Sequence, residues 1–141
     1  MIKLVLFDLD GVLIDAKNIH FVALNEALGP EYAITEEEHL ATYDGLKTLQ
    51  KLEMLTNRKS RDPTLHSEIS EKKQEITRDL LSNQEPIEHI CDLFQELEDQ
   101  DYKIGVCSNS IRRTVVTSLA QAKLIKHCSV ILSNEDVKNS K

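Results

Sequence analysis

The chain has 141 residues, 40% of them hydrophobic and 4% aromatic with no Trp, and its 17 basic and 24 acidic side chains give a formal net charge of −7. That length suits one ordinary domain or a small core with an insertion, and the apolar share excludes a disordered tail. The acidic balance provides no basic field to gather a nucleic-acid backbone, so no nucleic-acid partner is expected and any phosphate site has to be built locally.

Residues 3–7, KLVLF, form a short apolar block of strand formers, and such continuity predicts a strand covered on both faces. After an acidic loop, His20, Phe21, Ala23, Leu24, Ala27 and Leu28 recur at helical spacing, and Gly29-Pro30 ends that helix. Thr35 ahead of Glu36, Glu37 and Glu38 reads as an N-cap with an acidic first turn. Beyond Asp44-Gly45, the residues Leu46, Leu49, Leu52 and Leu55 mark an amphipathic helix to about Thr56, and Asn57 to Pro63 reads as a polar, basic loop. Leu65, Ile69, Ile76 and Leu80 then line one side of a charged helical stretch reaching Leu81. Residues 16–82 therefore read as an all-helical unit.

Ser82 to Pro86 breaks the pattern and is a candidate linker. A helix carrying Ile87, Ile90, Cys91, Phe94 and Leu97 follows, then a strand at 103–107, KIGVC, a helix over roughly 111–122, and a strand at 129–132, SVIL. With the helical block set aside, strand and helix alternate, which predicts an α/β fold: a parallel sheet of three recognisable strands, helices on both faces and right-handed crossovers.

Cys91, Cys107 and Cys128 show no C-x-x-C spacing, and an odd count suits neither a disulfide framework nor a zinc site. Reduced thiols in a cytoplasmic protein are the expectation. The N-terminal apolar run is interrupted by Asp8 and has no small-residue cleavage site, so neither a signal peptide nor a membrane span is predicted.

In open parallel sheets, ligands bind beyond the carboxyl ends of the strands. Those ends carry Asp8-Leu9-Asp10, Ser108-Asn109-Ser110 and Ser133-Asn134-Glu135-Asp136. Two carboxylates at i and i+2 on a strand-to-loop turn can divide nucleophilic and acid–base work, with Asp8 fixed at the strand tip and Asp10 pushed toward a higher pKa by the neighbouring charge. Gly11 allows a sharp turn behind them. The Ser108 hydroxyl and the amides opening the next helix suit phosphate oxygens. Taken singly, each feature has a plainer explanation: acidic loops often cap helices, and Ser108-Asn109 also fits an ordinary N-cap. An EF-hand is excluded, since Leu13 and Ile19 stand where its Gly and Glu belong. The conjunction of both loops, each directly after an apolar strand, favours chemistry.

FDLDGVLID at 7–15, His20, GVCSNS at 105–110 and SNEDVKNSK at 133–141 together resemble the haloacid dehalogenase superfamily, specifically the beta-phosphoglucomutase-like phosphatases with a helical cap. The resemblance implies a Rossmann-like core at 1–15 and 83–141, with an inserted helical cap at 16–82. It implies magnesium-dependent hydrolysis of a small phosphorylated metabolite through an aspartyl-phosphate. Asp8 would be the nucleophile and Asp10 the general acid and base. Mg2+ would be held by the Asp8 carboxylate and the Asp10 backbone carbonyl, Ser108 and Asn109 would bind phosphate, and Lys141 would offset charge. His20 matches a position near the general acid–base Asp, and Gly45 and Lys47 match a substrate-contacting stretch of the cap, although a surface or half-buried His explains the first equally well and an exposed helical Lys is the commoner explanation of the last. Asp15 fits an acidic linker residue or an N-cap for the helix after it. Thr48 stands where the mutases carry Arg, which favours a phosphatase over a sugar-phosphate mutase.

Members of that superfamily continue past the lysine motif through a helix and a strand to a further acidic loop, whereas Lys141 is the last residue here. The sequence-level expectation is a truncated core whose first strand leaves an open edge prone to self-association or completion by another chain. A non-catalytic fragment is the rival reading.

Overall fold

The structure is a computed structural model that describes residues 1–60 and 62–139. The chain forms two compact units, one from Met1–Lys17 together with the residues from Leu81 onward, the other Asn18–Leu80.

The first unit is built on three parallel strands, β1 (Leu4–Asp8), β2 (Lys103–Cys107) and β3 (Cys128–Leu132), in the order β1-β2-β3. Leu4 lies opposite Lys103 and Asp8 opposite Cys107, while Gly105 lies opposite Val130 beyond an irregularity at Ile104/Gly105. Because side chains alternate along a strand, Val5, Phe7, Ile104 and Val106 share one face and Leu4, Leu6, Gly105 and Val130 the other. The first face is the packed one: Ile104 and Val106 are fully buried, and Phe94 sets its ring 5.0 Å from that of Phe7. Full burial of such a side chain stabilises by about 1.5–3 kcal/mol.

The second face departs from the expectation of a strand covered on both sides. Leu4 is 44% exposed, Leu6 57% and Val130 36%. An alternating pattern reports which residues share a face, and no described element lies over this one. Helix α5 (Glu88–Asp99) supplies Phe94 and packs against β2, and α6 (Arg112–Gln121) packs against β3.

The second unit contains α1 (Lys17–Leu28), α2 (Glu36–Glu38), α3 (Thr48–Lys59) and α4 (His66–Ser82), the last ending at the unit boundary. Gly29, at φ +79°, stops α1 in the left-handed region that glycine reaches without a Cβ penalty. The side chain of Asn25 then fastens the following loop, its Nδ2 donating to Ile34 O and its Oδ1 accepting from Ile34 N, each at 2.9 Å. Thr35 caps α2 in a reciprocal pair with Glu38, as its spacing predicts, and the chain continues through a π-helical turn at His39–Tyr43. Helix α3 runs further than expected, because Asn57, Arg58 and Lys59 belong to it. Arg and Lys are good helix formers, and positive charge in a last turn complements the helix dipole. Leu24, Leu28, Ile34, Tyr43, Leu52, Leu55 and Ile69 form the core of this unit.

Cys91, Cys107 and Cys128 are free thiols. Among the described residues, no helix is long and apolar enough to cross a membrane.

Candidate active site

Asp8 is the last residue of β1, and the chain turns immediately after it. Buried Leu9 anchors the turn, accepting at its carbonyl from Leu13 N at 3.0 Å. Gly11 takes φ +76° and donates its N–H to Ile14 O at 2.8 Å, so the residue that adopts that backbone without a Cβ penalty stands where the turn needs it. Asp8 and Asp10 are thereby held half-buried at the carboxyl end of β1.

The register places Cys107 beside Asp8, so Ser108 opens the neighbouring loop at the same edge. Ser108 is buried; its N–H donates to Leu132 O at 2.9 Å and its Oγ accepts from Ser110 N at 3.1 Å. Ser110 Oγ donates to Asp10 Oδ2 at 3.5 Å, joining the first loop to the second across a separation of 100 residues. Asn134 N donates to Ser110 O at 3.1 Å, which ties in the third loop. The three strand ends thus converge on one polar edge, with half-buried Asn109 among them.

The third loop also corrects an expectation. The first amide of α6 does not face an open phosphate position: Arg112 N–H donates to Glu135 Oε2 at 2.7 Å. A carboxylate favourably caps a helix start. Asp136 completes the brace, accepting from Ser133 N and Oγ at 2.7 and 2.6 Å and pairing with the Arg112 guanidinium at 2.6 Å. The Ser133 hydroxyl and Arg112 hold the Asp136 carboxyl well below the usual carboxylate range. Lys141 lies outside the described residues.

In the second unit, His20 sits half-buried on α1 with Lys73 Nζ of α4 3.1 Å from its Nδ1. The sequence reading missed Lys73, because a charged helical stretch gives no sign of which lysine turns inward; this one is 6% exposed. Gly45 takes φ +72°, and Lys47 precedes α3 with its N–H donating to Gln50 Oε1 at 3.1 Å. Asp15 lies in the first unit, where its backbone carbonyl accepts from Gln84 Nε2 at 2.6 Å. With α1 starting at Lys17, Ala16 and not Asp15 directly precedes the helix.

The profile of the haloacid dehalogenase-like hydrolases matches residues 5–141. The chain belongs to this family. Among curated relatives, pyrophosphatase PpaX of Bacillus cereus (strain Q1) is 25% identical over 152 residues, covering 99% of this chain and 63% of the relative. Pyrophosphatase PpaX of Bacillus mycoides (strain KBAB4) is 27% identical over 150 residues with the same coverage. The chain spans about 63% of the length of these relatives. Among solved structures, a mutant of CbbY from Rhodobacter sphaeroides in complex with xylulose-(1,5)bisphosphate matches with a TM-score of 0.86 at 22% identity, covering 100% of this chain and 67% of that one. A beta-phosphoglucomutase from Clostridium difficile matches with a TM-score of 0.82 at 22% identity, covering 100% and 66%. At these identities the likeness shows the fold, the Rossmann-like α/β fold of haloacid dehalogenase-like hydrolases.

Proposed function

We propose that this haloacid dehalogenase-like hydrolase is a phosphatase acting on a small phosphomonoester through an aspartyl-phosphate at Asp8, with residues 1–15 and 83–141 as catalytic core and 16–82 as cap. The observation that carries the reading is the bond from Ser110 Oγ to Asp10 Oδ2 at 3.5 Å, which joins the acidic loop to the serine loop at the strand ends. Catalysis of this kind is mainly positioning and electrostatic stabilisation, which a braced polar edge is suited to supply.

In the proposed sequence an Asp8 oxygen attacks phosphorus while the bond to the leaving oxygen breaks, and Asp10 gives that oxygen its proton. Asp10 then takes a proton from water, whose oxygen attacks phosphorus and frees Asp8 and inorganic phosphate. Ser110 orients the Asp10 carboxyl between these steps. Ser108 and Asn109 bind phosphoryl oxygens, and Lys141 offsets their charge.

The donor chemistry fits a hard cation. The Asp8 carboxylate and the Asp10 backbone carbonyl offer oxygen ligands, although the described residues contain no group of three or more His, Cys, Asp or Glu arranged for a metal. Mg2+ held there would supply charge neutralisation to a dianionic phosphoryl group. In the cap, His20 with Lys73, and the turn of Gly45 and Lys47, form the substrate-facing side of the proposal. Thr48, whose Oγ1 accepts from Gln74 Nε2 at 3.5 Å, offers no bidentate cation for a second phosphate, which supports a phosphatase over a mutase. The free thiols support a reducing, cytoplasmic setting. The exposed Leu4 and Leu6 on β1, an edge strand of the sheet, support pairing with a second copy; Leu6→Lys should then shift sedimentation toward monomer.

The test of the catalytic reading is phosphate release from a panel of sugar phosphates, phosphoglycolate and pyrophosphate, with and without Mg2+. Magnesium-dependent release that falls to background in Asp8→Asn, with the circular dichroism spectrum unchanged, supports it. Release that survives Asp8→Asn, or no release by the wild-type chain on any substrate, overturns it.

A further inference from the structure

Ser110 Oγ meets Asp10 Oδ2 at 3.5 Å, the outer limit of a hydrogen bond, so the contact lasts only while the backbone at Ser110 stays in place. A retreat of about 0.5 Å would end it.

The third loop holds that backbone on both sides. Ahead of Ser110, the Ser108 N–H donates to Leu132 O at 2.9 Å, and at Ser110 itself the carbonyl accepts from Asn134 N at 3.1 Å. Two residues on, Arg112 is gripped at both ends. Its N–H donates to Glu135 Oε2 at 2.7 Å, and its Nη2 donates to Asp136 Oδ1 at 2.6 Å and to Ile131 O at 3.4 Å. Asp136 is itself fixed, because its Oδ2 accepts from the N–H and hydroxyl of Ser133, which is 1% exposed. These partners hold the Asp136 carboxyl well below the usual carboxylate range, so the pair stays charged at neutral pH. A partly exposed ion pair adds little to stability. Its consequence here is placement, since a charge-assisted bond fixes a short distance and this one closes the attachment around Ser110.

We propose that Arg112 is a positioning residue for the acid–base carboxyl: gripped by Glu135 and Asp136, it fixes Ser110 and, through Ser110, the Asp10 side chain. This role rests on the phosphatase reading and gives Arg112 no contact with substrate.

In Arg112→Ala, kcat for phosphate release should fall about tenfold at unchanged KM, within the ~10²-fold that a misplacement of about 1 Å can cost. Ser110→Ala should lower kcat to a similar extent, and the double variant should fall no further than Ser110→Ala alone, because both changes break one path. Arg112→Lys, which keeps a cation for Asp136, should recover most of the loss. Independently of turnover, the amide signals of Ser110 and Asn134 in the 15N-labelled chain should move in Arg112→Ala and return toward their wild-type positions in Arg112→Lys. Asp136→Asn, which leaves Arg112 in place and removes the charge opposite it, serves if urea unfolding shows the alanine variant unfolded. A raised KM would make Arg112 a substrate contact, additive losses in the double variant would make its effect a general one, and an unchanged kcat or unmoved Ser110 signal would mean that Ser110 is held by other means; each overturns the proposal. Absence of release by the wild-type chain overturns the phosphatase reading instead, and the amide signals then decide whether Arg112 fixes Ser110.

Discussion

His127 in the first unit and His39 in the second are both buried, and their surroundings differ. His127 Nδ1 lies 2.6 Å from Glu98 Oε2, and its ring meets Phe94 edge-on at 6.2 Å, with Phe94 in turn 5.0 Å from Phe7. Among the described residues His39 has no hydrogen-bond partner on either ring nitrogen; the Phe21 ring is 5.3 Å away and Asp44 Oδ1 3.7 Å from Nε2. Its unit also buries Lys51 and Lys73, each 6% exposed, with Lys73 against His20. The first unit thus satisfies its interior imidazole within an aromatic stack, as a scaffold does. The second buries an imidazole without a hydrogen-bond partner near its buried lysines, a pattern more frequent where ligands bind than where stability alone is at stake.

The widest test of that contrast is Phe94→Ala, which removes the ring linking β1, α5 and His127. Loss of a fully buried aromatic costs about 3–5 kcal/mol, read from urea unfolding. A loss below about 1 kcal/mol would mean that the stack does not organise the first unit. His127→Ala should come next, at about 1–3 kcal/mol, since it removes a buried ring and its bond to Glu98 together. Glu98 is 54% exposed, so Glu98→Gln should cost less than the histidine change.

His39 should behave in the opposite sense. Its burial and the nearby Lys51 charge hold its pKa below the ordinary value of 6.5, with His20 adding to this and Asp44 and Glu36 opposing it. The unfolded chain therefore binds a proton at a pH where the folded chain does not. The neutral imidazole contributes its full stability above about pH 6.5, and that contribution is lost as pH falls toward the folded value. The urea midpoint should drop between pH 7.5 and 5.5 in the wild type and drop less in His39→Phe, which replaces the unpaired ring by an apolar one. Equal slopes would remove His39 as the acid-sensitive group.

Local chemistry made much of this legible in the sequence. Three apolar blocks announced three parallel strands, and a polar turn with Gly11 directly behind a strand announced where Asp8 and Asp10 sit, because period and turn residues are local signals. The bond from Arg112 N to Glu135 spans 23 residues and that between His20 and Lys73 spans 53, so neither is encoded in any window of sequence. The exposed row of Leu4 and Leu6 was hidden for a related reason: an apolar strand reads the same whether or not something lies over it.

Gly105 offers the smallest and most discriminating change, because it compares the two faces of the sheet at one position. A Cβ there would collide with Leu6 Cδ2 and stand 2.7 Å from Val130 Cγ1. Under a covered face those side chains would have nowhere to go, and overpacking costs about 1–3 kcal/mol. Here both are more than a third exposed, so they can swing outward at a rotamer cost of about 0.5–1.5 kcal/mol, against which replacing a strand glycine by alanine recovers about 0.5–1 kcal/mol. Gly105→Ala should therefore leave the urea midpoint nearly unchanged. A loss above about 2 kcal/mol would show that Leu6 and Val130 are held in place, and hence that this face is covered in solution.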